Sequence, residues 1–351
     1  MLQPPDIQDD DIRLLVDSPS PAPVFATPRP VWLNTLTNWR TFAALDRTPP
    51  DLADSVPSGP KTADNDLRLR YHALMPTVRT PAISRALVVV HEHLLSNRER
   101  THGKTGVIID GPRGTGKTEI LQYIGRYYEN KIARLYEPDE NRIPVIALRV
   151  PPQARGGRRN WPVAFASFLG LKQDGGTDPT RSICHVMRAS STLLVIIDGI
   201  EQLRSGIDAE ESFAYLEEIS ESTGATFVFA GRAARSIVDP LTRDRETRLE
   251  DSEQIWGDYA GLRTSRIGYD TDGHTLFTKI VREFDKNLRL HHHQPDDLTN
   301  LHEYLHRRSK GYLRALSQLV SQGAQKAIWT KQERLTEDLL ESLAIGRSRT
   351  I

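Results

Sequence analysis

Residues 111–118 read GPRGTGKT, preceded by the apolar run GVIID and followed by EILQYIGRYYEN. A G-x-x-x-x-G-K-[ST] pattern between a strand and a helix leaves little freedom: the loop must wind around an anion. Glycines let successive N–H groups turn onto phosphate oxygens, and the opening helix adds its partial positive charge. Gly111, Pro112, Arg113, Gly114, Thr115 and Gly116 form the candidate cradle. Lys117 supplies a point charge to the β- and γ-phosphates, and Thr118 a hydroxyl for Mg2+.

The strand before that loop needs partners. GVIID (106–110), PVIALRV (144–150), LLVIID (193–198) and ATFVFA (225–230) read as short apolar strands. They alternate with helices over TEILQYIGRYYEN, WPVAFASFLG and SFAYLEEISEST, and SICHVM is a further helical piece. Continuous apolar strands alternating with helices imply an α/β fold, a parallel sheet covered on both faces. Before it, residues 66–100 read as helical, with Leu87, Val90, Leu94 and Leu95 at helical spacing. After it, from about 272 to 345, the pattern is helical only. One stripe holds Leu276, Phe277, Ile280, Val281, Phe284 and Leu288, and another Tyr312, Leu316, Leu319, Val320 and Ile328. The expected organisation is a disordered tail over 1–30, a helical arm with a linker over 31–103, an α/β core over 104–270 and a C-terminal helical unit over 271–351.

Asp198 closes the third apolar strand, where a carboxylate holds Mg2+ near a bound triphosphate. Nothing nearby resembles a guanine-reading dipeptide, so ATP is the expected nucleotide. Catalysis poses a problem. The residue after Asp198 is Gly199, where many ATPases carry the water-activating glutamate, and the nearest acid is Glu201. Either Glu201 curls back to orient the water, or the chain binds ATP and turns it over very slowly.

Composition excludes several classes. Lys+Arg and Asp+Glu are both 46, so no whole-molecule field draws the chain to nucleic acid, and any DNA contact must be a local basic patch. A single cysteine, Cys184, excludes a disulfide framework and fits a reducing cytoplasm; a buried thiol is its expected role. The acidic, proline-bearing start MLQPPDIQDDD does not read as a signal peptide, and the apolar runs are too short to span a bilayer. A soluble cytoplasmic protein without membrane contact is expected.

Longer segments carry a resemblance. TNWRTFAALDRTPPDL, LRLRYHALMPTVRTPAI, IPVIALRVPP, FASFLGL, ATFVFAG and LRLHHHQPDDLTNLHEYLHRRSKGYLRALSQLVSQGAQKAI together resemble the TniB/TnsC family, AAA+ ATPases that serve DDE transposases. The match runs from roughly residue 37 to 343. It implies a P-loop AAA+ sheet with flanking helices, an N-terminal helical arm and a C-terminal helical lid. It further implies an ATP-dependent homo-oligomer on duplex DNA that helps select insertion sites and licenses a DDE transposase. Family members read Asp-Glu-Ile-His-Asn-Leu where this chain has DGIEQL, so the glutamate's role cannot be carried to Gly199. The same spelling also resembles NACHT-type signalling ATPases, which makes a signalling switch the alternative. Such proteins continue into a repeat array, and no periodicity of roughly 20–50 residues follows Asp198.

Other arginines have candidate roles. ARGGRRN (154–160) puts Arg155, Arg158 and Arg159 on a glycine-flexible loop able to neutralise DNA phosphates. Arg263 or Arg266 has the position of an arginine reaching a neighbour's γ-phosphate, and Arg314 that of a lid sensor arginine. HEYLH (302–306) is a literal H-E-x-x-H, the spelling of a zinc protease site. No downstream histidine completes it, a third ligand would have to be Glu333 or Glu337, and Leu298, Leu301 and Leu305 already give this segment a packing face. Ordinary helix histidines are expected. His291–His293 and the pair in HEH (91–93) lack ligand spacing.

Overall fold

The computed structural model describes residues 33–56, 66–154, 159–172, 178–203, 207–234 and 259–345. The expected tail over 1–30, Arg155 and Arg158 lie outside them. Five parallel strands form one sheet in the order β2-β3-β4-β1-β5: β1 Gly106–Asp110, β2 Val145–Arg149, β3 Leu194–Asp198, β4 Thr226–Gly231 and β5 Tyr259–Arg263. The first four strands match the apolar runs to within a residue or so, because both faces of each are buried.

The fifth strand escaped the sequence reading. In Tyr259–Arg263, at the sheet edge, only Tyr259 is buried, and the strand carries only small or polar residues beyond its tyrosine and leucine. Its register is secure nonetheless. Gly106 faces Tyr259 so closely that an added Cβ would lie 2.7 Å from the ring, and Asp110 faces Arg263.

Helices cover both faces of the sheet. They are α1 Leu36–Ala43, α3 Pro81–Glu99, α4 Lys117–Leu135, α5 Trp161–Leu169, α6 Thr180–Ala189 and α7 Ile207–Thr223, while α2, Leu67–Ala73, packs elsewhere. In α3 the Thr80 hydroxyl accepts from the Ile83 N–H, and Pro81 occupies the first turn, where its missing donor costs nothing. Leu87 and Val90 are buried, but Leu95 is 55% exposed, contrary to the expected stripe. Leu94 is half-buried as expected, and the buried face ends on Asn97. Asn97 donates to Thr105 O and Thr226 Oγ1 and accepts from the Thr105 N–H, tying the helix end to β1 and β4 with no wasted polar group.

The C-terminal helices α8 Thr271–Asn287, α9 His302–Ser309, α10 Leu313–Trp329 and α11 Glu337–Glu341 build a second core around Phe277, Ile280, Val281, Phe284, Leu316, Leu319 and Val320. The arm divides between the two cores. Trp39 of α1 is fully buried beneath the sheet against Gly125, with its indole N–H on Glu129 at 3.0 Å. By contrast, α2 is bolted to the helical core. Arg68, fully buried, meets Glu333 at 2.7 Å and Asp66 at 2.6 Å, and His72 spans Arg68 O and the Arg289 N–H. Burial pushes the His72 imidazole down to about 4, so it is neutral in the fold. The segment joining α2 to α3 thus runs between two bodies, directly beside the phosphate loop.

Candidate nucleotide site

Parallel strands end on one edge, and the register decides what gathers there. Asp198 faces Arg149 on β2 and Ala230 on β4, while Asp110 faces Gly231 and Arg263. A crevice beyond the carboxyl ends of such strands is where α/β folds hold ligands. Here it opens into a cavity of about 880 Å³, within the range that holds a nucleotide.

The loop forms its floor. Gly111, Gly114 and Gly116 have φ of 152°, 86° and 93°, and Gly116 caps α4. These left-handed turns are what glycine permits and other residues resist. Arg113, Gly114, Thr115, Gly116, Lys117 and Thr118 line the cavity; the carbonyls of Gly111 and Pro112 accept from the Lys117 ammonium, each at 2.7 Å. Burial holds the Lys117 pKa below its ordinary value, against Glu201, Asp198 and Asp110, which favour its charge.

The missed strand braces this loop. Thr264, immediately after β5, gives its N–H to Asp110 O at 2.7 Å, and its hydroxyl meets that of Thr115 at 2.7 Å. A Cβ on Gly111 would strike the Thr264 carbonyl. The first glycine is therefore required by the packing of the edge strand as well as by its own turn.

Thr118 donates to an Asp198 carboxylate oxygen at 2.8 Å. Burial raises the Asp198 carboxyl above the usual range; the Thr118 hydroxyl and the Arg149 charge pull it down, and Glu201 pushes it up. A hydroxyl beside a carboxylate at the phosphate loop is a hard-oxygen donor pair that fits Mg2+. Gly199 then takes φ 86° and ψ 30°, and a short 3-10 turn over Ile200–Gln202 follows. That left-handed step turns the chain so that Glu201 also lines the cavity. Its carboxylate accepts from the Arg232 N–H at 3.2 Å, and a Cβ at Gly231 would come within 2.8 Å of it.

The lid closes the far side. The Arg314 N–H donates to Gly114 O at 3.1 Å, and Leu313, Arg314, Ser317, Ile280 and Phe284 line the cavity. The opposite wall is Met75–Val78 with Thr80, Ala82 and Ile83, from the segment joining α2 to α3. Thr77 donates to the Glu119 carboxylate and accepts from Arg47 at 3.3 Å, which fixes this wall to the start of α4. Apolar Met75, Val78, Ile280 and Phe284 suit the flat face of a base.

Residues 99–236 match the family model of the AAA domain. The core carries an AAA domain. Its fold agrees with that of the Aeropyrum pernix ORC2 protein in its ADP form, at a TM-score of 0.50 and 16% identity over 76% of this chain and 68% of that one. AMPPCP-bound DnaA from Aquifex aeolicus matches with a TM-score of 0.42 and 16% identity over 72% of this chain and 63% of that one. The Thermotoga maritima RuvB branch migration motor matches with a TM-score of 0.41 and 13% identity over 75% and 68%. At such identities the likeness concerns the AAA+ fold alone. No curated protein matches the sequence.

Three motifs outside the AAA site resolve differently from their spelling. Arg159 is not a free basic side chain: its guanidinium pairs with Asp208 at 3.3 Å and donates to Pro151 O at 2.6 Å and to Gln202 O. A cation so engaged is unavailable to DNA phosphates, which corrects the expectation for this residue. In HEYLH, His302 Nε2 faces His274 Nε2 at 3.0 Å, whereas His306 Nε2 donates to Ile267 O at 3.0 Å. Glu333 is held by Arg68, and among the described residues no three His, Cys, Asp or Glu converge as metal ligands. His291, His292 and His293 contact Ser55, Gln332 O and Asp285 respectively. Arg263 and Arg266 are exposed at and after the end of β5, and Cys184 is buried and free. No helix among the described residues is long and apolar enough to cross a membrane.

Proposed function

We propose that this chain is an ATP-binding AAA+ regulator of DNA transposition. It assembles on duplex DNA as a homo-oligomer, helps select target sites and activates a DDE transposase. The observation that carries the nucleotide half of this reading is the Arg314–Gly114 hydrogen bond. It joins the lid to the phosphate loop, so a triphosphate settling on Lys117 must adjust the lid, and α2 with it. The transposition half rests on the residue resemblance of the arm, the sensor strand and the lid to the TniB/TnsC family.

In this reading Lys117 binds the β- and γ-phosphates, and Arg314 approaches them from the lid. Thr118 and Asp198 hold Mg2+, which when bound supplies positive charge to the phosphate oxygens. Glu201 positions the attacking water from three residues beyond Asp198. It is a displaced base rather than an absent one, and turnover is slow because its carboxylate is shared with the Arg232 N–H. Arg155 and Arg158 neutralise DNA phosphates, and Arg263 or Arg266 reaches a neighbour's nucleotide.

A gel shift on duplex DNA, with and without a non-hydrolysable ATP analogue, tests the proposal. Binding strengthened by the analogue supports it. Absence of a shift under both conditions refutes it, and nucleotide-driven assembly that ignores DNA would favour a signalling switch. Glu201→Gln is expected to lower the ATPase rate without weakening nucleotide binding; brisk turnover untouched by this change would show that another group activates water.

A further inference from the structure

We infer that Arg149 is a catalytic residue acting on the γ-phosphate within its own protomer. The inference rests on the reading of the cavity as an ATP site. Arg149 is the last residue of β2, and the register sets it directly opposite Asp198. The four residues before it are buried, whereas Arg149 is exposed at the carboxyl edge of the sheet. Its charge is felt by the Asp198 carboxyl, which it helps to hold down.

Two cavities meet at this side chain. Arg149, Thr118, Gln122 and Asp198 line the nucleotide cavity and also a second one of about 350 Å³, walled by Trp39, Leu121 and Ile196. Arg149 thus borders both spaces beside the Thr118–Asp198 pair. Other arginines are placed differently. Arg113 and Arg314 stand by Gly114, Arg232 lines the cavity next to Glu201, to which its backbone N–H donates, and neither Arg263 nor Arg266 lines it. Arg149 is the one of these that the strand register sets opposite Asp198, beside the carboxylate and hydroxyl that would flank the terminal phosphate.

During hydrolysis the water oxygen bonds to the γ-phosphorus as the bond to the bridging oxygen breaks, and that electron pair leaves with ADP. One water proton passes to Glu201 and then to solvent, giving ADP and inorganic phosphate. Arg149 keeps its own protons throughout. It supplies fixed positive charge to equatorial oxygens, which matters most in the transition state. A protomer with such a cis arginine reaches part of its rate before any neighbour contributes one.

The test compares the affinities of Mg2+–ADP and Mg2+–ADP–aluminium fluoride for wild type, Arg149→Gln and Arg149→Lys, diluted until mass photometry shows single protomers. For Arg149→Gln the expected result is unchanged ADP affinity and a loss of roughly tenfold or more for the fluoride complex, in line with the worth of transition-state arginines. Arg149→Lys should recover part of that loss, having charge without the planar fork. Equal affinities in wild type and Arg149→Gln overturn the assignment. So does a matched loss for both ligands, which would mark Arg149 as a mere partner of Asp198. A wild-type protein that binds neither ligand overturns the ATP reading itself, and a wild type that binds ADP without favouring the fluoride complex overturns Arg149 alone.

Discussion

Restoring the usual acid directly after Asp198 should harm this protein rather than improve it. Gly199 sits at φ 86° and ψ 30°. A side chain there brings its Cβ too close to the following carbonyl oxygen, at a cost of about 1–2 kcal/mol for an L-residue in the left-handed region. The same Cβ would lie 2.8 Å from the Gln202 amide nitrogen, a flexible end that moves at little further cost. Gly199→Glu should therefore lower the melting temperature by roughly 2–8 °C, taking about 2–4 °C per kcal/mol for a unit of this size. Gly199→Ala should lose a similar amount, because the strain lies in the backbone and not in the carboxylate. The new glutamate leaves a left-handed residue in another direction from an extended one, so the ATPase rate should not rise. Scanning calorimetry and a steady-state phosphate-release assay check both halves. A Gly199→Glu protein that melts with wild type and hydrolyses ATP tenfold faster would refute the claim that Gly199 exists to deliver Glu201.

Other outcomes follow from the same structure. His72 binds its proton at about 4 in the fold and near 6.5 when unfolded, so the unfolded chain takes up protons first as pH falls. Stability should drop between pH 6.5 and 4, by roughly 3 kcal/mol in full; urea titrations at stepped pH would show it, and His72→Gln should flatten the slope. Arg159→Ala should cost roughly 1–3 kcal/mol by taking the charged donor away from Asp208, and leave the salt dependence of DNA binding unaltered. Arg155→Ala and Arg158→Ala should each reduce that slope by about one, as phosphate contacts do; an Arg159→Ala slope that falls equally would overturn the distinction.

How much of this was legible beforehand depended on burial. The first four strands and the phosphate loop stood out because continuous apolar runs and a glycine-spaced lysine have few other uses. Strand β5 stayed hidden because a half-exposed edge strand looks like any loop with an occasional apolar residue. Met75–Val78 carries no chemistry of its own; it becomes a wall only because α2 is anchored in one core and α3 in the other. Arg159 resembled a tethered basic side chain until the fold set Asp208 beside it. Gly199 read as a lost glutamate, and only its backbone angles show it as the turn that presents Glu201. Single-residue spelling identified which groups are chemically able; long-range packing decided which of them meet.

The central claim is that the cavity above the phosphate loop binds Mg2+–ATP, and equilibrium titration with a fluorescent ATP analogue tests it most directly. Saturable binding at one site per chain is expected, abolished by Lys117→Ala and weakened by removing Mg2+ or by Asp198→Asn. A folded wild-type protein that shows no saturable binding, or one whose binding survives Lys117→Ala undiminished, would contradict it.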